Sequence, residues 1–243
     1  MPGQLTTRNP AQDAAAARAT DAQGASRSVQ MRRSLSGMGY AEQSAALSPS
    51  VQMKPAAAPA KPRQAMPEDF DKMWDAHPHN HQDDETQNTS SEDVLTQEGF
   101  EPDAYANTCA FRMSVMWNTM GGIYKITREK AAAAGIKPGR VVYSKKTKNF
   151  YILSAAEMWT FVSYWFGKPH QQYPASGRFK NAEEFRKAWD GGIKDAVAGK
   201  KGIVAFDKIF GYSGTGHVDL FNGEQLSDSS SWYDCQALKL WFV

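Results

Sequence analysis

The chain has 243 residues, 12% of them aromatic, and 28 Lys and Arg against 26 Asp and Glu give a net charge of +2. That length holds one domain with a substantial core plus an appendage. A nucleic-acid binder is excluded by where the charge lies: residues 1–65 carry eight Lys and Arg against three Asp and Glu, which leaves twenty against twenty-three for the rest and no basic stripe interleaved with aromatics. No run approaches the length of a membrane-spanning helix and the N-terminus lacks the apolar core of a secretory signal, so neither membrane insertion nor Sec export is expected.

Residues 1–65 contain 16 alanines and a single aromatic, Tyr40. Such a composition cannot bury enough apolar surface to offset the entropy of ordering, and a disordered leader is predicted there. A short repeat, "SVQMRR" and "SVQMKP", flanks "SLSGMGYAEQSAAL" and reads as a docking or loading element. "KPAAAPAKPRQ" follows as an extended Pro/Ala linker.

Folded structure is expected over residues 66–243. "MPEDFDKMW" opens it with Pro67 at a first helical position, acids in the first turn and Phe70, Met73 and Trp74 on one side. "HPHNHQDDE" then places His77, His79 and His81 in an alternating run. On an extended chain these share a face that can hold a metal, but no second ligand cluster completes a site, and the stretch is read as a polar loop.

"ANTCAFRMSVMWNTMGG" is an amphipathic helix whose first turn contains Cys109, with Asn107 or Thr108 as its cap. After a strand at 149–153, "SAAEMWTFVSYWFGKP" predicts a core helix with Ser154 and Glu157 as a capping box and Gly167 as its stop. "NAEEFRKAWDGG" repeats that design from Asn181 to Gly191. From Gly202 the pattern turns to strands: "GIVAFDKIF", "GHVDLF", "EQLSD" and "ALKLWFV". Helices followed by an antiparallel sheet make an α+β fold.

Asn222-Gly223 between two alternating runs is a strong two-residue hairpin signal. A two-residue turn pairs Phe221 with Glu224, Asp219 with Leu226 and His217 with Asp228. Directly opposed side chains reach each other, so Asp228 is expected to orient His217. Asp219, two residues along on the same strand face, is the rival orienter and a candidate substrate-binding residue.

Cys109 supplies the nucleophile half. At a helix start the unpaired amides and the macrodipole favour thiolate, an adjacent imidazole activates it, and first-turn amides including that of Cys109 can serve as an oxyanion hole. Arg112, one turn on, either steers a substrate carboxylate or is a helix-surface or interhelix charge. Gly216, in the loop "GYSGTG", is expected to give a substrate backbone close access to His217. Pairing of Cys109 with Cys235 is the competing structural reading.

"NTCAFRMS", "GKKGIVAF" and "GHVDLFNGEQLSD" resemble, in order and spacing, three motif blocks of the fourth family of type VI secretion amidase effectors. The likeness runs over roughly residues 66–243. It implies a papain-like NlpC-type fold, N-terminal helices packed on a C-terminal antiparallel sheet, with Cys109 as nucleophile, His217 as base and then acid, and Asp228 as orienter.

It further implies a cysteine D,L-endopeptidase that splits the amide between γ-D-glutamate and meso-diaminopimelate in the peptidoglycan stem peptide. Such an enzyme uses no metal or organic cofactor, acts in a competitor's periplasm and is held by a cognate immunity protein. The leader resembles cargo of extracellular contractile injection systems in "RRSLSGMGYAEQSAALSP", which makes residues 1–65 the expected contact with injection machinery. The alternatives are a papain-like toxin acting on a host protein amide and a non-catalytic cell-wall binder.

Overall fold

The structure is a computed structural model and describes residues 62–82, 84–229 and 232–243. The leader, its repeat and most of the linker lie outside the described residues. Arg63 and Gln64 donate their amides to the Trp165 carbonyl at 3.0 and 2.8 Å, which ties the start of the described chain to the core.

The first helix, α1 (Phe70–Ala76), starts later than Pro67 because the Asp69 side chain caps it, accepting from the Lys72 amide at 3.1 Å. The second, α2 (Ser91–Gln97), was not anticipated. Ser90 caps it reciprocally with Asp93, and Val94 and Leu95 are its buried pair. The helix α3 (Cys109–Met120) buries Met113, Met116 and Trp117 completely, and α4 (Arg128–Ala133) follows, capped by Thr127. A small antiparallel hairpin, β1 (Val141–Tyr143) and β2 (Phe150–Ile152), leads into α5 (Ala155–Phe166).

The α5 helix is built as its sequence dictates. Ser154 accepts from the Glu157 amide, Met158, Phe161 and Val162 are buried, and Gly167 ends it at φ 96°, a value that L side chains rarely adopt. Past the short strand β3 (Gln171–Tyr173), α6 (Ala182–Ala188) is capped by Asn181 as expected. It does not stop at Gly191, however. A wide turn over Trp189–Ile193, with Gly192 at φ 137°, carries it into α7 (Lys194–Val197).

The main sheet runs β3-β6-β4-β5, all antiparallel, with β4 (Gly202–Ile209), β5 (Gly216–Phe221) and β6 (Cys235–Phe242). Two-residue alternation divides its side chains between two cores. Ile203, Ala205, Val218, Leu220 and Trp241 pack with α1, α3 and α5, whereas Val204, Phe206, Leu238 and Leu240 pack with Phe185, Ile193 and Val197. This is the expected α+β, papain-like NlpC-type fold.

The turn at Asn222-Gly223 is not the one expected. A type I′ turn needs positive φ at both central residues, and only Gly223 has it, at 95°. Asn222 instead turns its side chain inward and accepts from the amides of Glu224 and Gln225, both at 3.0 Å. The loop becomes four residues long and Phe221 bridges Leu226. That two-residue shift removes Asp228 from opposite His217 and brings it beside Asp219, and "EQLSD" forms no strand. On β4, the residue paired with His217 is Phe206.

Replacing the cap of α5, Ser154→Ala, is expected to destabilise the domain by about 1 kcal/mol, read as a lower urea midpoint with an unchanged slope.

Candidate active site

Cys109 opens α3 with only 4% of its surface exposed. Thr108 occupies the cap position but makes no capping bond, because its hydroxyl is engaged by Ser91 Oγ at 2.8 Å and Arg112 Nε at 3.3 Å. Asn107 reaches over it and accepts the Cys109 amide on Oδ1 at 3.1 Å. The Cys109 amide, expected among the oxyanion donors, is therefore already committed to Asn107.

His217 stands beside Cys109 from β5, near enough for the thiol to raise the imidazole's pKa. On its other side, Nε2 lies 3.3 Å from Asp219 Oδ2. Burial opposes charge on the imidazole, but the bond to Asp219 and the neighbouring Cys109 outweigh it and hold the His217 pKa well above its ordinary 6.5. Cysteine, histidine and carboxylate thus adjoin one another in that order, and the carboxylate bonded to the histidine is Asp219.

Asp219 has no solvent exposure. Besides His217 it accepts from Ser227 Oγ, from the Leu220 amide at 2.8 Å and from the Asp228 amide at 2.9 Å. Burial pushes its carboxyl up, but the His217 bond and charge, assisted by His77 and Ser227, bring it below the ordinary value.

The expected orienter, Asp228, faces elsewhere. Its Oδ1 lies 3.5 Å from Arg112 Nε, and burial together with the negative charge of Asp219 raises its pKa. It contributes a backbone amide to Asp219, and the expected contact of its carboxylate with His217 gives way to this arrangement.

Arg112 is fully buried, which removes it as a steering group for substrate. Its guanidinium donates to the carbonyls of Pro78 (2.7 Å), His79 (3.2 Å) and Thr89 (2.8 Å) and so fastens the histidine-bearing segment to α3. Gly216 is buried as well. A Cβ there would lie 2.1 Å from the Phe206 carbonyl oxygen and 3.2 Å from Trp159, so this glycine lets β4 and α5 approach β5 rather than opening a path for substrate. Cys235 is a free, buried thiol on β6, as Cys109 is on α3, and burial raises its pKa.

The histidine run is not a plain polar loop. Among the described residues no group of three His, Cys, Asp or Glu is arranged to hold a metal ion. His79 Nε2 bonds the Trp74 carbonyl at 2.9 Å and His81 Nε2 the Leu226 carbonyl at 2.7 Å. His77, 3% exposed, turns inward to 3.8 Å from Asp219 Oδ1, with no hydrogen-bond partner on either ring nitrogen. Its approach to Asp219 was missed at the level of sequence, where a histidine before a proline carries no signal of burial.

Burial brings the His77 pKa down to about 3. An unfolded chain takes up that proton near 6.5, so between those values the unfolded state binds more protons and stability falls as the pH drops. Wild type is expected to lose about 2 kcal/mol more than His77→Gln between pH 7.5 and 5, measured by urea unfolding. Arg112→Met, which strips the guanidinium from a buried carboxylate and three carbonyls, should destabilise by about 3–5 kcal/mol. A well-folded variant with only a raised KM would restore the steering role.

No helix of the described residues is long and apolar enough to cross a membrane. No curated protein matches the chain. The family model for the type VI secretion system (T6SS), amidase effector protein 4, Tae4, matches residues 105–242, more than half of the chain. Among solved structures, the selenomethionine form of the Tae4/Tai4 effector–immunity system from Salmonella typhimurium aligns with a TM-score of 0.51 at 25% identity. That alignment covers 72% of this chain and 97% of the other. Tae4 from Enterobacter cloacae aligns with a TM-score of 0.52 over 74% of this chain and 99% of the other, and its 21% identity makes that a likeness of fold. With the matched region spanning both Cys109 and His217, the chain belongs to the Tae4 family of type VI secretion amidase effectors.

Proposed function

We propose that this amidase is a cysteine D,L-endopeptidase that cleaves the γ-D-glutamyl–meso-diaminopimelate amide of peptidoglycan stem peptides. The observation that carries the reading is the placement of His217 beside Cys109 with its Nε2 3.3 Å from Asp219 Oδ2. Family membership supports an amide as the substrate bond.

In this reaction the Cys109 thiolate attacks the γ-glutamyl carbonyl carbon and the carbonyl π pair moves onto oxygen. On collapse the C–N bond breaks, and His217 delivers its proton to the leaving amine of diaminopimelate. A water then gives a proton to His217 while its oxygen attacks the thioester, and the C–S bond breaks to release the shortened stem and restore the thiolate. Asp219 holds the imidazole and stabilises it while protonated, and the Asp228 amide holds Asp219. The elevated His217 pKa serves the first step, since the imidazolium must persist at neutral pH.

The wider setting belongs to the same proposal. The enzyme is injected into the periplasm of a competing cell, residues 1–65 engage the injection machinery, and a cognate immunity protein guards the producer. Solved relatives include effectors in complex with the immunity protein Tai4, which supports that partner.

Purified sacculi from a diaminopimelate-type bacterium, digested and analysed by mass spectrometry, test the bond. Wild type is expected to release stems ending in D-glutamate, whereas Cys109→Ala and His217→Ala release none while remaining folded. Asp219→Asn should lower kcat by about 10³-fold or more, and Asp228→Asn by roughly 10-fold. The reverse order would return the orienting role to Asp228. An untouched wall would move the substrate to a protein amide.

A further inference from the structure

In the addition step the developing oxyanion meets a Cys109 amide that is already bonded to Asn107. Asn107 makes a second bond. Its Nδ2 donates to the hydroxyl oxygen of Tyr212, from the loop between β4 and β5. The orientation of the carboxamide is forced: a backbone N–H can only donate, so Oδ1 must face Cys109 and the NH₂ group must face Tyr212. The Tyr212 oxygen thus accepts, and its own hydrogen is turned away from Asn107 and is available to a further acceptor.

We propose that Tyr212 is a catalytic residue of this amidase, its O–H serving as the side-chain donor of the oxyanion hole. The inference rests on the amidase reading with Cys109 as nucleophile. Three features place the hydroxyl for this task. A single carboxamide separates it from the Cys109 amide. It lies near enough to Cys109 and His217 to feel their charges, and although the residue is 44% exposed, partial burial raises its pKa, so it remains a donor at neutral pH. Its ring is seated against its own loop, for a Cβ at Gly214 would lie 2.2 Å from Tyr212 Cε1. Gly214 therefore sets where the ring lies, and Asn107 sets which way its hydrogen points.

In the addition step the thiolate–carbon bond forms, the π pair moves onto the carbonyl oxygen, and Tyr212 donates a hydrogen bond to that oxygen without losing its proton. When the C–N bond breaks, the pair returns to the carbonyl and the hydrogen bond weakens. A donor used in this way is stronger in the transition state than in the ground state, so its removal lowers kcat rather than raising KM.

The test compares wild type, Tyr212→Phe and Asn107→Asp on a disaccharide tetrapeptide isolated from sacculi, with the rate of Cys109 alkylation by iodoacetamide as control. Alkylation builds no oxyanion. Tyr212→Phe keeps the ring and is expected to lose about 10²-fold in kcat, with KM within about twofold and alkylation unchanged. Asn107→Asp should lose a similar amount, because a carboxylate accepts from both neighbours and draws the Tyr212 hydrogen toward itself.

Turnover of Tyr212→Phe within twofold of wild type would overturn the proposal. So would a fall in its alkylation rate matching the fall in kcat, which would make the hydroxyl a support for the Cys–His pair. If wild type leaves the muropeptide intact, the substrate reading has failed rather than this one. The same variants are then compared on p-nitrophenyl acetate, whose acyl transfer to Cys109 draws on the same donor, so the same loss in Tyr212→Phe is expected and its absence overturns the proposal.

Discussion

A carboxylate with no access to water must be surrounded by donors, and much of this molecule is shaped by meeting that condition at Asp219. Four groups converge on it: His217 from its own strand, the Leu220 amide next to it, and Ser227 and the Asp228 amide from the segment that follows. The last two arrive only because the chain after β5 folds back, which in turn requires the four-residue loop at Asn222. The histidine segment then closes over the pair, stitched down by the Asn80 amide to the Ser227 carbonyl at 3.2 Å and by His81 to Leu226. A buried charge of this kind is tolerable only when every lone pair is spoken for.

Two aspartates side by side divide the electrostatic work. Asp219 keeps its charge because it has an imidazolium to face and a set of donors, whereas Asp228 has fewer donors, a charged neighbour and an arginine whose hydrogens are mostly given to carbonyls. The same residue type thus bonds the imidazole in one place and pairs with a guanidinium in the other. Arg112 belongs to this balance as a structural cation that fastens the histidine segment to the helix carrying Cys109.

Local rules made much of the fold legible. Ser154 and Asn181 cap the helices they announce, Gly167 ends one of them, and the three long strands fall where alternation and apolar runs put them. Cys109 could be put at a helix start and His217 on a strand because the signals for those elements are local. The partner of His217 could not be named, because it depended on one torsion: Asn222 was equally able to take positive φ or to turn its side chain onto the next two amides, and the second choice moves the register by two. Arg112 and His77 were misjudged for a related reason, since burial of a polar side chain is decided by what the rest of the chain folds over it.

The site is drawn from segments far apart along the chain. Asn107 and Tyr212 are separated by 105 residues and His81 and Leu226 by 145. Contacts of that span form late in folding, after the entropy of closing long loops has been met by other packing. The amidase is consequently a property of the finished tertiary structure alone: a chain that is still extended, partly folded or freshly made possesses every reactive side chain and none of the activity.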